Sequence, residues 1–328
     1  MQIVETNTHI KVAIVNYDKA LSSSIMGMLD IFEIVNSFCL DTTCHKRFET
    51  KILHTNSSIE NFNITVNFDS EPINTYENFD LIIIPPIIDR KHNFSDNREL
   101  VEWLQKMSYR GNIISSVCVG AYVLAQAGLL DNKNATCHWV IEQKIKQEYP
   151  LVKLDVDKLI VQDQNIVTAG GSSAYIHLCL YMIRKFFSVE VAYRCANLLG
   201  VDPGKTSQQH YKNLSILPTH NDADIQKIIN CINNYFYRTI TLETMSNKIS
   251  VSQRTLIRKF KKTTGELPNH YLQKIRVQKA KELLISTRDS FEEITYFVGY
   301  SNPSTFRSLF KKMTGLNPGK YREFFMVL

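Results

Sequence analysis

Two groups of side chains in this sequence have the chemistry and spacing to act on another molecule. The first is a single thiol, Cys118, in "IISSVCVGAYVLAQAGLL" (113–130), set between a run of strand-forming residues and an Ala-rich helix. A cysteine there is a nucleophile, a ligand or redox sensor, or a small core residue at a turn. The second is a pair of arginines four apart, Arg254 and Arg258, on a helix whose Leu256 and Phe260 face inward. Guanidinium groups leaving the early turns of a helix can reach guanine edges or phosphates in a major groove. Thr255 lies between them. Lys261 and Lys262 follow at the far end, where phosphates are the nearer target.

That helix has a copy. "LIRKFKKTTGELPNHY" (256–271) aligns with "FRSLFKKMTGLNPGKY" (306–321) at an offset of 50, matching Phe260 with Phe310, Gly265 with Gly315, Pro268 with Pro318 and Tyr271 with Tyr321. Lys311 and Lys312 repeat the lysine pair. Ser304, Thr305, Arg307 and Ser308 occupy the early turns of the copy, so its base reading is expected to depend less on arginine. Upstream of each lies a short helix, "TLETMSNKI" (241–249) and "SFEEITYFVG" (290–299). Ser290 and Glu293 have capping-box spacing, while Ser252 and Asn302, the latter followed by Pro303, can cap the longer helices. Each unit is a helix, a short turn and a longer basic helix, the helix-turn-helix plan. "HYLQKIRVQKAKELL" (270–284) is a helix of about 15 residues, roughly 22 Å long. With the bodies it joins, it can hold two reading heads about one duplex turn, roughly 34 Å, apart.

The elements that position the thiol are of another kind. "HIKVAIVNY" (9–17), "FDLIIIPPI" (79–87) and "NIISSV" (112–117) read as buried strands, with helical spacing between them over 25–38 and 97–109. "KLIVQDQNIVTAG" (158–170) reads as two strands about a polar turn, before helices near 173–187 and 188–199. Strand–helix alternation predicts a largely parallel sheet with helices on both faces. Residues 200–222, rich in Gly, Pro and polar side chains, read as a connection, after which only short helices follow.

Charge divides in the same place. Residues 219–328 hold 18 Lys+Arg against 9 Asp+Glu, a net of +9, whereas residues 1–218 carry a net of −3. That asymmetry suits a basic module that meets a polyanion, joined to one that does not. The composition, 44% hydrophobic and 21% charged in 328 residues, is that of a globular chain large enough for two domains. No apolar run approaches the roughly 20 residues needed to cross a bilayer, and no membrane partner is expected. The start, "MQIVETNTHIK", lacks the plan of a signal peptide. Seven cysteines with no CxxC pair fit a reducing compartment, so the expected location is cytoplasmic. Cys39, Cys44, Cys179, Cys195 and Cys231 read as small core residues, and so does Cys137. No metal-ligand spacing and no phosphate-binding glycine loop is present, so no metal and no cofactor is expected.

Residues 223–325 resemble the DNA-binding domain of AraC/XylS-type transcription regulators, whose second unit ends in the G-x-x-P-x-x-Y-R pattern carried here by Gly315, Pro318, Tyr321 and Arg322. The resemblance implies two helix-turn-helix units in successive major grooves of double-stranded DNA. Base contacts then fall on Arg254 and Arg258, with Ser304 and Arg307 as nearest equivalents. Ser308 stands where an arginine is often found. "SSVCVGAYVLAQAGLLDNKNATCHW" (115–139) and "VTAGGSSAYIHLCLYMI" (167–183) resemble the DJ-1/PfpI superfamily, in the branch fused to AraC-type domains (GlxA-like regulators). This implies a flavodoxin-like α/β sandwich whose strained turn holds the Cys118 sulfur at a helix N-terminus, where exposed N–H groups and the dipole favour a thiolate.

Catalysis in that superfamily uses a carboxylate, often a histidine, and backbone donors for an oxyanion. Here Ser24 takes the carboxylate's place and Val119 follows the cysteine. Pro85, Pro86 and Ile87 replace Pro-Gly-Gly, and His177 stands where an aspartate is common. His138 can approach Cys118 from its own loop, and Gly170 and Gly171 can line the pocket or simply turn the chain. The expectation is a sensor or dimerisation domain over 9–190, no longer an enzyme, then a helix and linker over 191–218 and a DNA-binding domain over 219–328. Its partners would be an unidentified small-molecule effector, a second copy of the chain and RNA polymerase. The alternative is a cysteine-dependent hydrolase, amidotransferase or glyoxalase-like enzyme; a third reading is a pseudoenzyme that only dimerises.

Overall fold

The computed structural model of the protein describes residues 9–40, 46–55, 69–73, 77–87, 97–214 and 220–326. The chain forms two compact units that divide between Gln208 and Gln209. The first unit runs β1 (His9–Asn16), α1 (Ser22–Leu40), β2 (Arg47–His54), β3 (Glu71–Pro72), β4 (Leu81–Ile84), α2 (Arg98–Tyr109), β5 (Ile113–Val117), α3 (Ala121–Gln126), β6 (Asn134–Ala135), α4 (Glu142–Glu148), β7 (Lys153–Leu154), β8 (Ile160–Asp163), β9 (Ile166–Ala169), α5 (Ala174–Phe186) and α6 (Val189–Leu199).

Seven strands make one sheet in the order β3-β2-β1-β4-β5-β9-β8, parallel throughout except for the β8–β9 hairpin. The central β4, Leu-Ile-Ile-Ile, is wholly buried, as a strand covered by helices on both faces must be. The parallel α/β sandwich expected from strand–helix alternation is therefore present. β2 is not among the strands expected from the sequence, although its Arg47, Glu49 and Lys51 alternate with Phe48, Thr50 and Ile52 as in a half-buried strand. Its whole length nonetheless pairs with β1, from His9 against Arg47 to Asn16 against His54. Phe48 anchors it against Phe32 and Phe187, with ring centroids 4.4 and 5.0 Å away.

The second unit is helical: α7 (Ala223–Tyr235), α8 (Leu242–Lys248), α9 (Gln253–Thr264), α10 (Pro268–Ser286), α11 (Phe291–Phe297), α12 (Pro303–Thr314) and α13 (Pro318–Phe325). Its core brings Leu256, Phe260 and Tyr271 of the first repeat together with Phe306, Phe310 and Tyr321 of the second. The segment read as a connection is anchored in both units. Gln208 is buried in the first, and Gln209 donates from its side-chain amide to the Lys312 carbonyl in the second. Residues 215–219, which include the expected boundary at 218, lie outside the described residues, as do Cys44 and the side chain of Cys39. Cys137, Cys179 and Cys195 are buried, and Cys231 is half-buried. No described helix is long and apolar enough to cross a membrane.

Candidate functional site

Strand β5, between β4 and β9 inside the sheet, delivers Cys118 to a turn at its C-terminal end. The residue has φ +60°, in the left-handed region where a side chain costs about 1–3 kcal/mol. One turn of 3-10 helix, Cys118–Gly120, then leads into α3. Gly120 is required there, because a Cβ would lie 2.7 Å from the Pro85 carbonyl oxygen and 2.9 Å from that of Ile84. The elbow is thus clamped to the end of β4 by backbone against backbone.

The sulfur is enclosed rather than presented. Cys118 is 3% exposed, and its Sγ lies 3.3 Å from Ser172 Oγ. Burial pushes the thiol up to about 11, against the opposing pull of hydrogen bonds from Ser172 and the Val119 N–H. This corrects the expected thiolate: desolvation of the charged sulfur outweighs the helix-end donors, and the group is a neutral thiol near pH 7.

The other nominated residues fall around this turn in mixed roles. His138 donates its backbone N–H to the Cys118 carbonyl at 3.3 Å, while its Nδ1 accepts from the Val140 N–H at 3.2 Å and caps the next turn. Val119 is buried in the core. Ser24 is fully buried and donates to the Leu21 carbonyl at 2.6 Å, so its hydroxyl is committed within its own helical turn. In the proline loop, Pro85 O accepts from Tyr17 Oη at 2.8 Å and Pro86 O from the Leu21 N–H at 2.7 Å. Those carbonyls are acceptors, opposite in sign to what a developing oxyanion needs.

Gly170 donates to the Leu159 carbonyl, and Gly171 accepts from the Ala174 N–H that opens α5. A Cβ on Gly170 would fall 2.2 Å from Nε2 of Gln208. That amide donates to the Cys137 carbonyl at 2.9 Å, one residue before His138. Three residues here escaped the sequence reading: Tyr17, Ser172 and Gln208. Ser172 follows Gly171 directly, so the motif gave its position but not its contact. His177 is not beside the thiol. It lies on α5, bonded through Nε2 to the Asp202 carbonyl at 3.2 Å, and burial lowers its pKa.

The second unit repeats itself down to single hydrogen bonds. Ser252 Oγ accepts from the Thr255 N–H at 3.2 Å to start α9, and Asn302 Oδ1 accepts from the Thr305 N–H at 3.0 Å to start α12. The helices end at Gly265 (φ +79°) and Gly315 (φ +77°). Thr264 and Thr314, both buried, donate to Phe260 O and Phe310 O at 2.8 Å each and accept from the N–H groups of Glu266 and Leu316. The expected Ser290–Glu293 capping box is formed, and α8 has a second one from Thr241 and Thr244.

The outward faces differ. Arg254, Arg258, Lys261 and Lys262 are exposed on α9. Thr255 is half-buried, with its hydroxyl 2.9 Å from Ser252 Oγ, so it serves the cap. Lys259 on the same helix is held by Asp222 and Asp224 at 3.2 and 2.7 Å. On α12, Ser304, Thr305, Ser308, Lys311 and Lys312 are exposed. The Ser308 hydroxyl donates back to Ser304 O at 3.2 Å. Arg307 is bonded to Glu292 at 2.8 Å and lies over the Phe291 ring. Arg322 latches α13 onto the end of α10, donating to the Leu284 carbonyl at 3.0 Å and to that of Asp289. Its place in the G-x-x-P-x-x-Y-R pattern is structural.

Comparison with known proteins agrees with both units. The DJ-1/PfpI family matches residues 11–185, and a helix-turn-helix domain matches residues 245–323. The HTH-type transcriptional regulator GbdR of Pseudomonas aeruginosa is 26% identical over 230 residues, which is 70% of this chain but only 62% of GbdR. GlxA of Rhizobium meliloti, also an HTH-type transcriptional regulator, is 28% identical over 222 residues, 67% of this chain and 68% of its own. A crystal structure of an AraC-family transcriptional regulator from Pseudomonas putida shares the fold of the first unit, with a TM-score of 0.50 at 15% identity. It covers 58% of this chain and 99% of that one. The chain belongs to the DJ-1/PfpI family, with a helix-turn-helix domain in its second unit.

Proposed function

We propose that this protein is a DNA-binding transcription regulator whose DJ-1/PfpI unit receives a small-molecule or redox signal at the Cys118 turn. The observation that carries the first half is the duplicated helix-turn-helix, equivalent in caps, core and C-terminal glycine, with Arg254 and Arg258 exposed on α9. The GbdR and GlxA relatives support it. Paired copies of the chain on adjacent half-sites, and contact with RNA polymerase, are part of this reading.

At the first unit, the neutral, enclosed thiol favours a bound effector over rapid oxidation. With the pKa pushed up to about 11, the thiolate fraction at pH 7 is on the order of 1 in 10,000. Alkylation of Cys118 by iodoacetamide, followed at that residue by mass spectrometry, should rise about tenfold per pH unit from 7 towards 11. Fast alkylation that is flat from pH 6 to 9 would mean an activated thiolate and would bring the enzyme reading forward.

Selection of sites from a randomised double-stranded DNA pool by the full-length protein, at physiological salt, tests the function itself. Enrichment of paired half-sites separated by whole helical turns is expected, with affinity falling steeply as salt rises. No enrichment by the full chain or by its 219–328 fragment would overturn the reading.

A further inference from the structure

The last residues of the first unit lie as a strap along Asp157–Leu159. The Leu159 N–H donates to Thr206 O at 2.8 Å and the Gln208 N–H to Asp157 O at 3.0 Å, while Lys158 and Ser207 form an antiparallel bridge. Gln208 closes the strap. Its side chain is buried, and Nε2 donates to the carbonyls of Cys137 and Lys158 at 2.9 and 3.3 Å, in the space that Gly170 leaves open. The Cys137 carbonyl belongs to the same peptide group as the His138 N–H, which donates to Cys118 O at 3.3 Å. A trans peptide is planar, with its N–H and C=O on opposite sides. One rigid plate thus stands between the Cys118 turn and Gln208, and a rotation that breaks one bond strains the other.

The next residue is fastened within the second unit. Gln209 Nε2 donates to Lys312 O at 2.9 Å. That carbonyl lies in the last turn of α12, where a helix leaves its acceptors without partners of its own. The Gln209 amide also packs on the turn that ends α12, since a Cβ on Gly315 would fall 2.8 Å from its Oε1. Farther along, Lys212 O accepts from the Lys281 ammonium, and the Leu214 N–H donates to Gln278 Oε1 at 3.2 Å, both partners being on α10. Leu214 itself is buried in the core of the helical unit. Residues 209–214 are therefore a second strap, bound to the second reading helix and to the helix that joins the two repeats.

We infer that the adjacent pair Gln208 and Gln209 couples the Cys118 turn to the end of α12, with two states: the Gln208 amide seated against the Cys137–His138 peptide, or withdrawn from it. The inference rests on the regulator reading, in which the first unit takes a signal at Cys118 and the second binds DNA. A ligand or modification that shifts the turn unseats Gln208. The change passes through one peptide bond to Gln209 and reaches α12 beside Lys311 and Lys312. Coupling between two binding events is reciprocal, so DNA that holds α12 in place also favours the seated state, in which the thiol is enclosed.

That reciprocity allows a test without the effector. Alkylation of Cys118 by iodoacetamide at pH 8.5 is followed by mass spectrometry in the full-length protein, free and saturated with a selected DNA site, with saturation checked by fluorescence anisotropy. DNA should slow the reaction at least about fivefold, the low end of ordinary allosteric coupling. Gln208→Met keeps the length of the side chain and drops the donor; Gln209→Met releases only the α12 end. Each should bring the ratio of free to bound rates below about twofold with the site still saturated. Gln209 lies in the second unit, so loosening of the first does not account for its effect, and if Gln208→Met fails to fold, Gln209→Met alone decides. An unchanged or faster rate in the saturated parent complex would overturn the coupling and leave DNA binding standing. Protection that persists in Gln209→Met would overturn it too, because DNA would then shield the thiol by its presence alone. Absence of any complex would strike the regulator reading itself, and this inference with it.

Discussion

The two repeats of the helical unit, α9 and α12 with their flanking turns, have the same interior and different exteriors. Phe260 and Phe310, Thr264 and Thr314, Tyr271 and Tyr321 occupy matching places, and each helix opens on a side-chain cap and closes on a left-handed glycine. Outside, α9 offers Arg254 and Arg258, whereas α12 has serines at 304 and 308 and an arginine already held by Glu292. Packing constrains the buried half of a helix-turn-helix strongly. The exposed half is constrained only by what it meets, so two copies in one chain can diverge there without cost to the fold.

If the interiors are equivalent, Phe260→Ala and Phe310→Ala should each destabilise the second unit by about 3–5 kcal/mol, the range for emptying a buried aromatic site. Urea unfolding of the full chain, followed by the helical signal, measures both. A gap of more than about 2 kcal/mol between them would show that one repeat carries the core alone. The exteriors should separate more sharply in binding. Arg254→Ala is expected to cost about 1–3 kcal/mol at one base position and to relax specificity there, while Ser304→Ala should cost under about 0.5 kcal/mol. Titration against single-base variants of a selected site distinguishes these. Uniform loss on all sequences for Arg254→Ala would demote that arginine to a phosphate contact.

The caps should matter less, and equally. Ser252→Ala and Asn302→Ala are each expected to cost about 1 kcal/mol of stability, seen as a parallel shift of the unfolding midpoint. The smallest effect sharpens the comparison most. Glu292→Gln removes the partner of Arg307; because both side chains are about half exposed, the stability loss should stay below about 1 kcal/mol. DNA affinity should rise, with a steeper salt dependence, as α12 gains a free arginine. Unchanged affinity would mean that α12 reads little DNA with or without that pair.

Much of this arrangement was legible in the sequence because it rests on local spacing. Ser252, Asn302, Ser290 and Glu293 act within one helical turn, and the inward pair Leu256 and Phe260 follows from 3.6-residue periodicity. The elbow was legible as a strand–Cys–helix succession. What stayed hidden depends on contacts between distant segments. Ser172 reaches Cys118 from 54 positions away, and Gln208 reaches Cys137 from 71. The Arg307–Glu292 pair spans the turn between two helices. The thiol's environment was hidden for the same reason: a helix N-terminus is visible in sequence, but the burial of the sulfur comes from distant segments, with Ser172 on one side of it in the chain and Tyr17 on the other. His177, which stands where an aspartate is common, is likewise explained only by a distant contact, its Nε2 meeting the Asp202 carbonyl from 25 positions away.

The sheet order has a consequence for the sequence of events in folding. Strand β5 finds its outer neighbour only when Ile114 meets Ile166, and the first strand, β1, ends between β2 and β4. The helical unit closes through caps and turns a few residues long. Pairings of high sequence separation form slowly, and local ones fast. The half of the chain made first by the ribosome is therefore the half expected to finish last in isolation. Its exposed β5 edge, awaiting β9, is the stretch most open to mispairing while synthesis continues.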